Sequence, residues 1–229
     1  MILAIDTSTD LASIALYRPA QGVLFEQCWV SGREQTTQLM PNVQRALSMV
    51  GAVPRDLTGI AVATGPGSFS GVRIGISAAK SMAYALEIPI WGVPSLDALA
   101  YQQVAVTAAQ VCAVLNMGRG RLAWAVYRTR GTRWQRLTPY GNNTAGELAD
   151  QVGAMETNVA TLFCGEISPE TAEVLNERLG KDVAIAPAAA GVRRAAYLAE
   201  LALQRANRGE ADDPAALQAI YLQPAHAAS

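Results

Sequence analysis

The chain has 229 residues, 51% hydrophobic and 16% charged, which suits one large domain or two small lobes around an ample core. A formal net charge of -1 leaves no overall basic field to draw in nucleic acid. Apolar runs stay short of the roughly 18 residues a membrane span needs, and the start lacks a secretory pattern, so a cytoplasmic protein is expected.

Residues 2–5 form an apolar run that ends in Asp6-Thr7-Ser8-Thr9-Asp10, a buried strand leading into a polar turn. Residues 12–17 and 23–30 are β-rich and separated by Arg18-Pro19-Ala20-Gln21-Gly22, which predicts an antiparallel meander. From Thr37 the period changes: Leu39, Val43, Ala46, Leu47 and Val50 follow helical spacing, Thr36 or Thr37 can cap, and Gly51 stops the helix. Residues 59–64 predict a second buried strand, followed by a glycine-rich loop, a helix over 71–86, a strand over 89–93 and a helix capped by Ser95. This order implies a mixed sheet with helices on its faces.

The first unit is set at residues 1–105 and a smaller second one at 106–229, whose last residues can pack back on the first. Strands are predicted at 111–115, 122–128, 134–137 and 161–164. Thr144-Ala145-Gly146-Glu147 is a capping-box pattern, and Ser168-Pro169 supplies a cap and a first-turn proline for a helix to Leu179. A helix over 194–207 and a last helical turn from Asp213-Pro214 complete the chain. Cys28, Cys112 and Cys164 lie far apart in apolar runs and read as small core residues of a reducing compartment.

The loop Gly65-Pro66-Gly67-Ser68-Phe69-Ser70-Gly71 between strand and helix has two readings. A helix N-terminus after glycines is a ready anion site. However, Val72-Arg73 stands where a Walker loop needs Lys-Ser or Lys-Thr, and the glycine spacing is not that of a dinucleotide fold. The second reading is packing: Gly71, Gly75, Ala79 and Ala83 recur every fourth residue and leave a groove that another helix could fill. On that reading Gly75→Leu is expected to block pairing with a partner while the monomer stays folded.

The segments Ile2-Leu3-Ala4-Ile5-Asp6-Thr7-Ser8-Thr9, Gly65 to Gly75, and Ser81-Met82-Ala83-Tyr84-Ala85-Leu86 with Ile88-Pro89-Ile90-Trp91-Gly92-Val93-Pro94-Ser95-Leu96 closely resemble the TsaB family, also called YeaZ. The match is dense over the first hundred residues and loose afterwards, apart from Ala219-Ile220-Tyr221-Leu222. The resemblance implies an α/β, actin/Hsp70/hexokinase-like (ASKHA) fold of two lobes, each a mixed sheet flanked by helices. It implies a non-catalytic scaffold that pairs with the TsaD transferase, with the ATPase TsaE joining, for threonylcarbamoyl modification of adenosine 37 in ANN-decoding tRNAs. A homodimer is expected without TsaD, tRNA contact is expected to be indirect, and no cofactor is implied. The partner interface it implies lies on the two first-lobe helices, on Leu39, Val43, Leu47, Val50, Gly71, Gly75, Ala79 and Ala83.

Hydrolase chemistry lacks its groups. The one histidine, His226, lies four residues from the end, so neither a zinc-ligand set nor a Ser-His-Asp arrangement can be built. The alternative is a stand-alone ATP-dependent kinase or acyltransferase of the same fold, in which the first turn would approach phosphates. Here Asp6, Thr7 and Ser8 are read as a vestigial nucleotide site, because Ser8 replaces the glycine that such a turn carries. Asn116-Met117 likewise departs from the family's Asp-Ala at the second-lobe turn, and an amide cannot act as a base.

Residues 98–146 contain no Asp or Glu, yet hold six arginines. Arg119, Arg121, Arg128 and Arg130 could touch tRNA phosphates or an acidic partner. Their shared parity in strands equally fits a solvated sheet face, and that reading is preferred.

Overall fold

The apolar opening of the chain becomes an antiparallel meander of β1 (Ile2–Asp6), β2 (Leu11–Arg18) and β3 (Gly22–Val30). The structure, a computed structural model, describes residues 1–32, 34–104, 110–130, 133–155 and 159–223. His226 and residues 105 and 106, at the expected unit boundary, lie outside the described residues.

Helix α1 (Gln35–Met49) leads to β4 (Gly59–Ala63), helix α2 (Phe69–Leu86) to β5 (Ile90–Val93), and helix α3 (Ser95–Val104) follows. β4 and β5 run parallel to β1, giving the sheet order β3-β2-β1-β4-β5. β1 is central and buried on both faces, which is why it reads as a continuous apolar run rather than an alternating one.

The second sheet comprises β6 (Gln110–Gly118), β7 (Arg121–Arg130), β8 (Arg133–Arg136), β9 (Gly141–Asn143), β10 (Thr161–Gly165) and β11 (Val183–Ile185). Helices α4 (Ala145–Gly153) and α5 (Pro169–Leu179) belong with it, and α6 (Ala195–Ala206) closes the helical part of the chain. Its order, β11-β10-β6-β7-β8 with β9 on β7, repeats the first sheet's plan: a meander whose first strand is central, then two strands parallel to it. No repeat in the sequence announces this.

The chain divides into two compact units. One holds residues 1–98 and 193–220; the other holds 99–192 and, of the described tail, 221–223. The break falls at 98/99, and α6 with the segment after it belongs to the first unit. The cause is small-residue packing. Ala4 is in register with Ala15 and Ala61, giving one face of the first sheet a floor of methyl groups. The alanine-rich face of α6 (Ala195, Ala199, Ala202) is buried, and this helix lies on β1, β2, β4 and β5. The backbone after it then lines the β5 edge, where the Asp212 amide donates to the Ile90 carbonyl (2.9 Å) and the Ile220 amide to that of Thr64 (2.7 Å).

The opposite face of the first sheet carries the larger core. Leu3, Ile5, Ile14 and Leu16 pack with Leu39, Val43 and Leu47 of α1 and Val72, Ile76, Ala79 and Ala83 of α2. The second unit has its own core of Cys112, Val114, Trp124, Val126, Leu148, Val152, Phe163 and Leu175.

Two caps differ from expectation. α1 starts after Glu34, which makes no side-chain cap bond, and Ser95 is the first residue of α3 with its hydroxyl unpartnered. The Thr144–Glu147 capping box and the Ser168 cap form as their spacing predicts.

The thiols follow burial. Desolvation raises Cys112 well above an ordinary thiol and pushes Cys164 up to about 12, while Cys28, on the exposed edge strand β3, is raised by partial burial and by Glu26. A thiol-specific chromogenic reagent at mildly alkaline pH is therefore expected to titrate Cys28 alone, and slowly, in the native protein. Release of all three thiols before unfolding would contradict this burial.

Candidate functional site

Two features of the first unit come together around one turn. β1 ends at Asp6, and the period of the strand places Asp6 on the Ala4 face, towards α6, and Thr7 on the other face, towards α2. Each side chain finds its partner there. Asp6 Oδ2 accepts from Arg193 Nε at 3.0 Å, in an ion pair whose side chains are 1% and 2% exposed. Asp6 Oδ1 accepts from the Ser8 amide (2.8 Å) and the Ser8 hydroxyl (2.6 Å). Thr7 Oγ1 donates to the Gly71 carbonyl at 2.7 Å. Thus the polar atoms of Asp6, Thr7 and Ser8, read from sequence as a vestigial nucleotide site, are committed to the protein itself. Arg193 had no local signal, because it lies 187 residues from Asp6.

The glycine-rich loop closes over this turn. The Ser68 amide donates to the Ser8 carbonyl at 2.6 Å, and a Cβ on Gly67 would overlap that same carbonyl oxygen. The Gly65-Pro66 peptide is cis. Ser68 caps α2, accepting from the Gly71 amide at 3.3 Å, so one of the free donors of the first turn is already satisfied. A phosphate cradle needs its amides directed at solvent; here two of them already have protein acceptors.

The small-residue stripe of α2 requires a correction. Gly71, Gly75, Ala79 and Ala83 are buried inside this unit rather than presented to a partner. A Cβ on Gly71 would overlap the Thr7 carbonyl oxygen, and one on Gly75 would overlap Thr7 Oγ1, with Val62 Cγ2 at 3.6 Å beyond it. The glycines let α2 settle onto the ends of β1 and β4. Leu39, Val43 and Leu47 are likewise core residues, and Val50 is half-buried.

What faces solvent is the next stripe round. Ser77 and Ser81 are exposed and Ile74, Ala78 and Met82 half-buried on α2, facing Met40 of α1, which is 44% exposed. Between these helices run two adjoining grooves, about 610 and 400 Å³, with Met40 in both. Leu39, Val43 and Leu47 floor them, and Met82, Val53 and Pro54 line the larger one. Val53 is 57% exposed at the groove's rim, and Met49 (67%) extends the apolar surface beyond it. The Arg73 guanidinium stacks on the Phe69 ring, 3.8 Å from its centroid, at the start of α2.

The arginines of the second unit do not make one row of cations. Arg121 pairs with Glu147 (3.3 Å) and donates to the Asn142 carbonyl, joining β7 to the capping box of α4. Arg136 stacks on Tyr140 at 4.0 Å. Arg119 sits on the exposed β6–β7 turn between Gly118 and Gly120, and Arg128 is half-buried. The Arg130 side chain lies outside the described residues. Asn116, in the second-unit turn, has its amide on Glu166 Oε2 (3.0 Å) and its own Oδ1 on the Gly118 amide (2.8 Å). Among the described residues no group of three or more His, Cys, Asp or Glu side chains could hold a metal, and no helix is long and apolar enough to cross a membrane.

Residues 11–220 match the family described as TsaD, tRNA N6-adenosine threonylcarbamoyltransferase. A protein of Bacillus subtilis named tRNA threonylcarbamoyladenosine biosynthesis protein TsaB is 31% identical, over 99% of this chain and 95% of its own length. The Escherichia coli protein of the same name is 38% identical, over 56% of this chain and 54% of its own. YeaZ from Pseudomonas aeruginosa superposes with a TM-score of 0.79 at 23% identity, covering 96% of this chain and 99% of that one. The fold is the two-sheet, actin/Hsp70/hexokinase-like one that the resemblance implies.

Proposed function

The chain belongs to the TsaB family, and on that premise we propose that it serves tRNA threonylcarbamoyladenosine biosynthesis as a non-catalytic subunit that docks the TsaD transferase. The observation that carries the reading is the solvent-facing apolar groove between α1 and α2, bordered by Met40, Ile74, Ala78 and Met82. An exposed apolar strip on two rigid helices costs solubility unless something covers it, and a helix pair from a second protein fits such a groove. In the absence of TsaD a second copy of the chain would cover the same strip, giving a homodimer. TsaE would then join the pair, and tRNA would be held mainly by the partners, in keeping with the net charge of -1.

The kinase-like alternative loses its support at the same turn. Asp6 is buried, with Oδ1 accepting twice from Ser8 and Oδ2 paired with Arg193, so its carboxylate is not presented to a metal–nucleotide complex. Titration of ATP with Mg²⁺ into the purified protein is expected to give no saturating heat. Tight binding that Asp6→Ala abolishes would overturn the scaffold reading.

The docking face has a direct test. Ala78→Glu places a carboxylate in the apolar groove, where docking would desolvate it, and this should weaken pairing with TsaD by about a hundredfold or more while leaving the thermal midpoint near that of the wild type. Pull-down of TsaD with each form, followed by tRNA modification with and without the chain, measures both consequences. Unchanged co-purification of Ala78→Glu would remove α1 and α2 from the interface.

A further inference from the structure

Both docking helices take their starting positions from the turn at residues 6–10. The Thr9 carbonyl accepts from Gln35 Nε2 (3.0 Å), and Gln35 is the buried first residue of α1. The Ser8 carbonyl accepts from the amide of Ser68, the cap of α2, and Thr7 Oγ1 donates into the first turn of that helix. The α6 side of the turn is held by Arg193. Arg193 spans it, donating to Asp6 Oδ2 at its start, to Thr9 Oγ1 in its middle and to the Leu11 carbonyl (2.9 Å) at its end. The planar guanidinium spreads these bonds over two nitrogens, Nε and Nη2, whereas an ammonium would have to reach all three acceptors from one.

We propose that Arg193 is a positioning residue for the docking face: through the 6–10 turn it sets the starts of α1 and α2 and thereby the groove that receives the partner. The proposal rests on the docking reading above. Arg193 lines neither groove, and it acts on them through Asp6, Thr9 and the Leu11 carbonyl.

Hydrogen exchange read by mass spectrometry on the full chain, together with calorimetric titration against TsaD, tests this. Arg193→Met is expected to speed exchange about tenfold or more at residues 35–40 and 68–75, with β6 and β10 of the second unit unchanged. The same variant should bind TsaD about tenfold more weakly, and Arg193→Lys should fall between it and the wild type. Should Arg193→Met not fold, Thr9→Val, which removes only one acceptor, carries the test with the same pattern at smaller amplitude. Exchange left unchanged at both helix starts, or raised equally in β4, would overturn the proposal, the latter by showing a merely structural role. Should wild-type chain fail to bind TsaD, the docking reading falls, and the exchange pattern alone decides the role of Arg193.

Discussion

Gly75→Leu will strongly destabilise the first unit instead of yielding a fully stable monomer that has lost its partner. A Cβ at this position already overlaps Thr7 Oγ1, the hydroxyl that donates to Gly71, and a leucine adds three further carbons towards Val62. α2 cannot retreat easily, because Val72, Ile76, Ala79 and Ala83 hold the same face of the helix in the core. Overfilling a packed core costs about 1–3 kcal/mol, and losing a buried hydrogen bond adds about 1 kcal/mol. Against a native margin of roughly 5–15 kcal/mol, the total is a large fraction of the stability. Urea denaturation followed by circular dichroism should show a midpoint far below that of the wild type. A wild-type midpoint combined with loss of TsaD binding would restore the stripe as a partner surface.

The second large effect belongs to Asp6. Replacing it with alanine removes the carboxylate paired with the Arg193 guanidinium at 2% exposure, and breaking a buried pair from one side costs roughly 3–5 kcal/mol. The Ser8 amide and hydroxyl lose their acceptor in the same stroke. A double replacement, Asp6→Ala with Arg193→Met, should recover part of the loss, because the stranded charge goes with its partner. Measured stabilities in which the double variant is no better than Asp6→Ala would mean that the charge itself is not what the fold must satisfy.

The meander, the two helices and the loop between them were legible because local rules govern them. Strands 12–17 and 23–30 show β-rich stretches between turn residues, and Leu39, Val43 and Leu47 keep the helical period. The face of α2 was a different matter. Gly71, Gly75, Ala79 and Ala83 form one small-residue stripe, and Ser70, Ser77, Ala78 and Ser81 lie along another. Periodicity identifies both and cannot say which the sheet will take. The sheet took the glycines because its own carbonyl at Thr7 needs a neighbour without a side chain. β9 and β11, three residues each, are too short to carry a pattern. Arg193 was illegible for a stronger reason. Its role depends on a contact across 187 residues, and nothing near Arg193 in the chain distinguishes it from the neighbouring Arg194, which pairs with the partly exposed Glu26 at 2.6 Å.

The return of residues 193–220 to the first unit bears on how the protein is made. A ribosome delivers the chain from its N-terminus, and domains generally fold as units as they emerge. The first unit cannot follow that rule, since the helix that covers the alanine face of its sheet and the side chain that pairs with Asp6 are synthesised only after residues 99–192. Residues 1–98 must therefore wait, half-covered, through the translation of the whole second unit. Nascent chains of this protein spend that interval with Ala4, Ala15, Ala61 and the unpaired Asp6 carboxylate open to water, which makes the interval the period in which chaperones have most to protect.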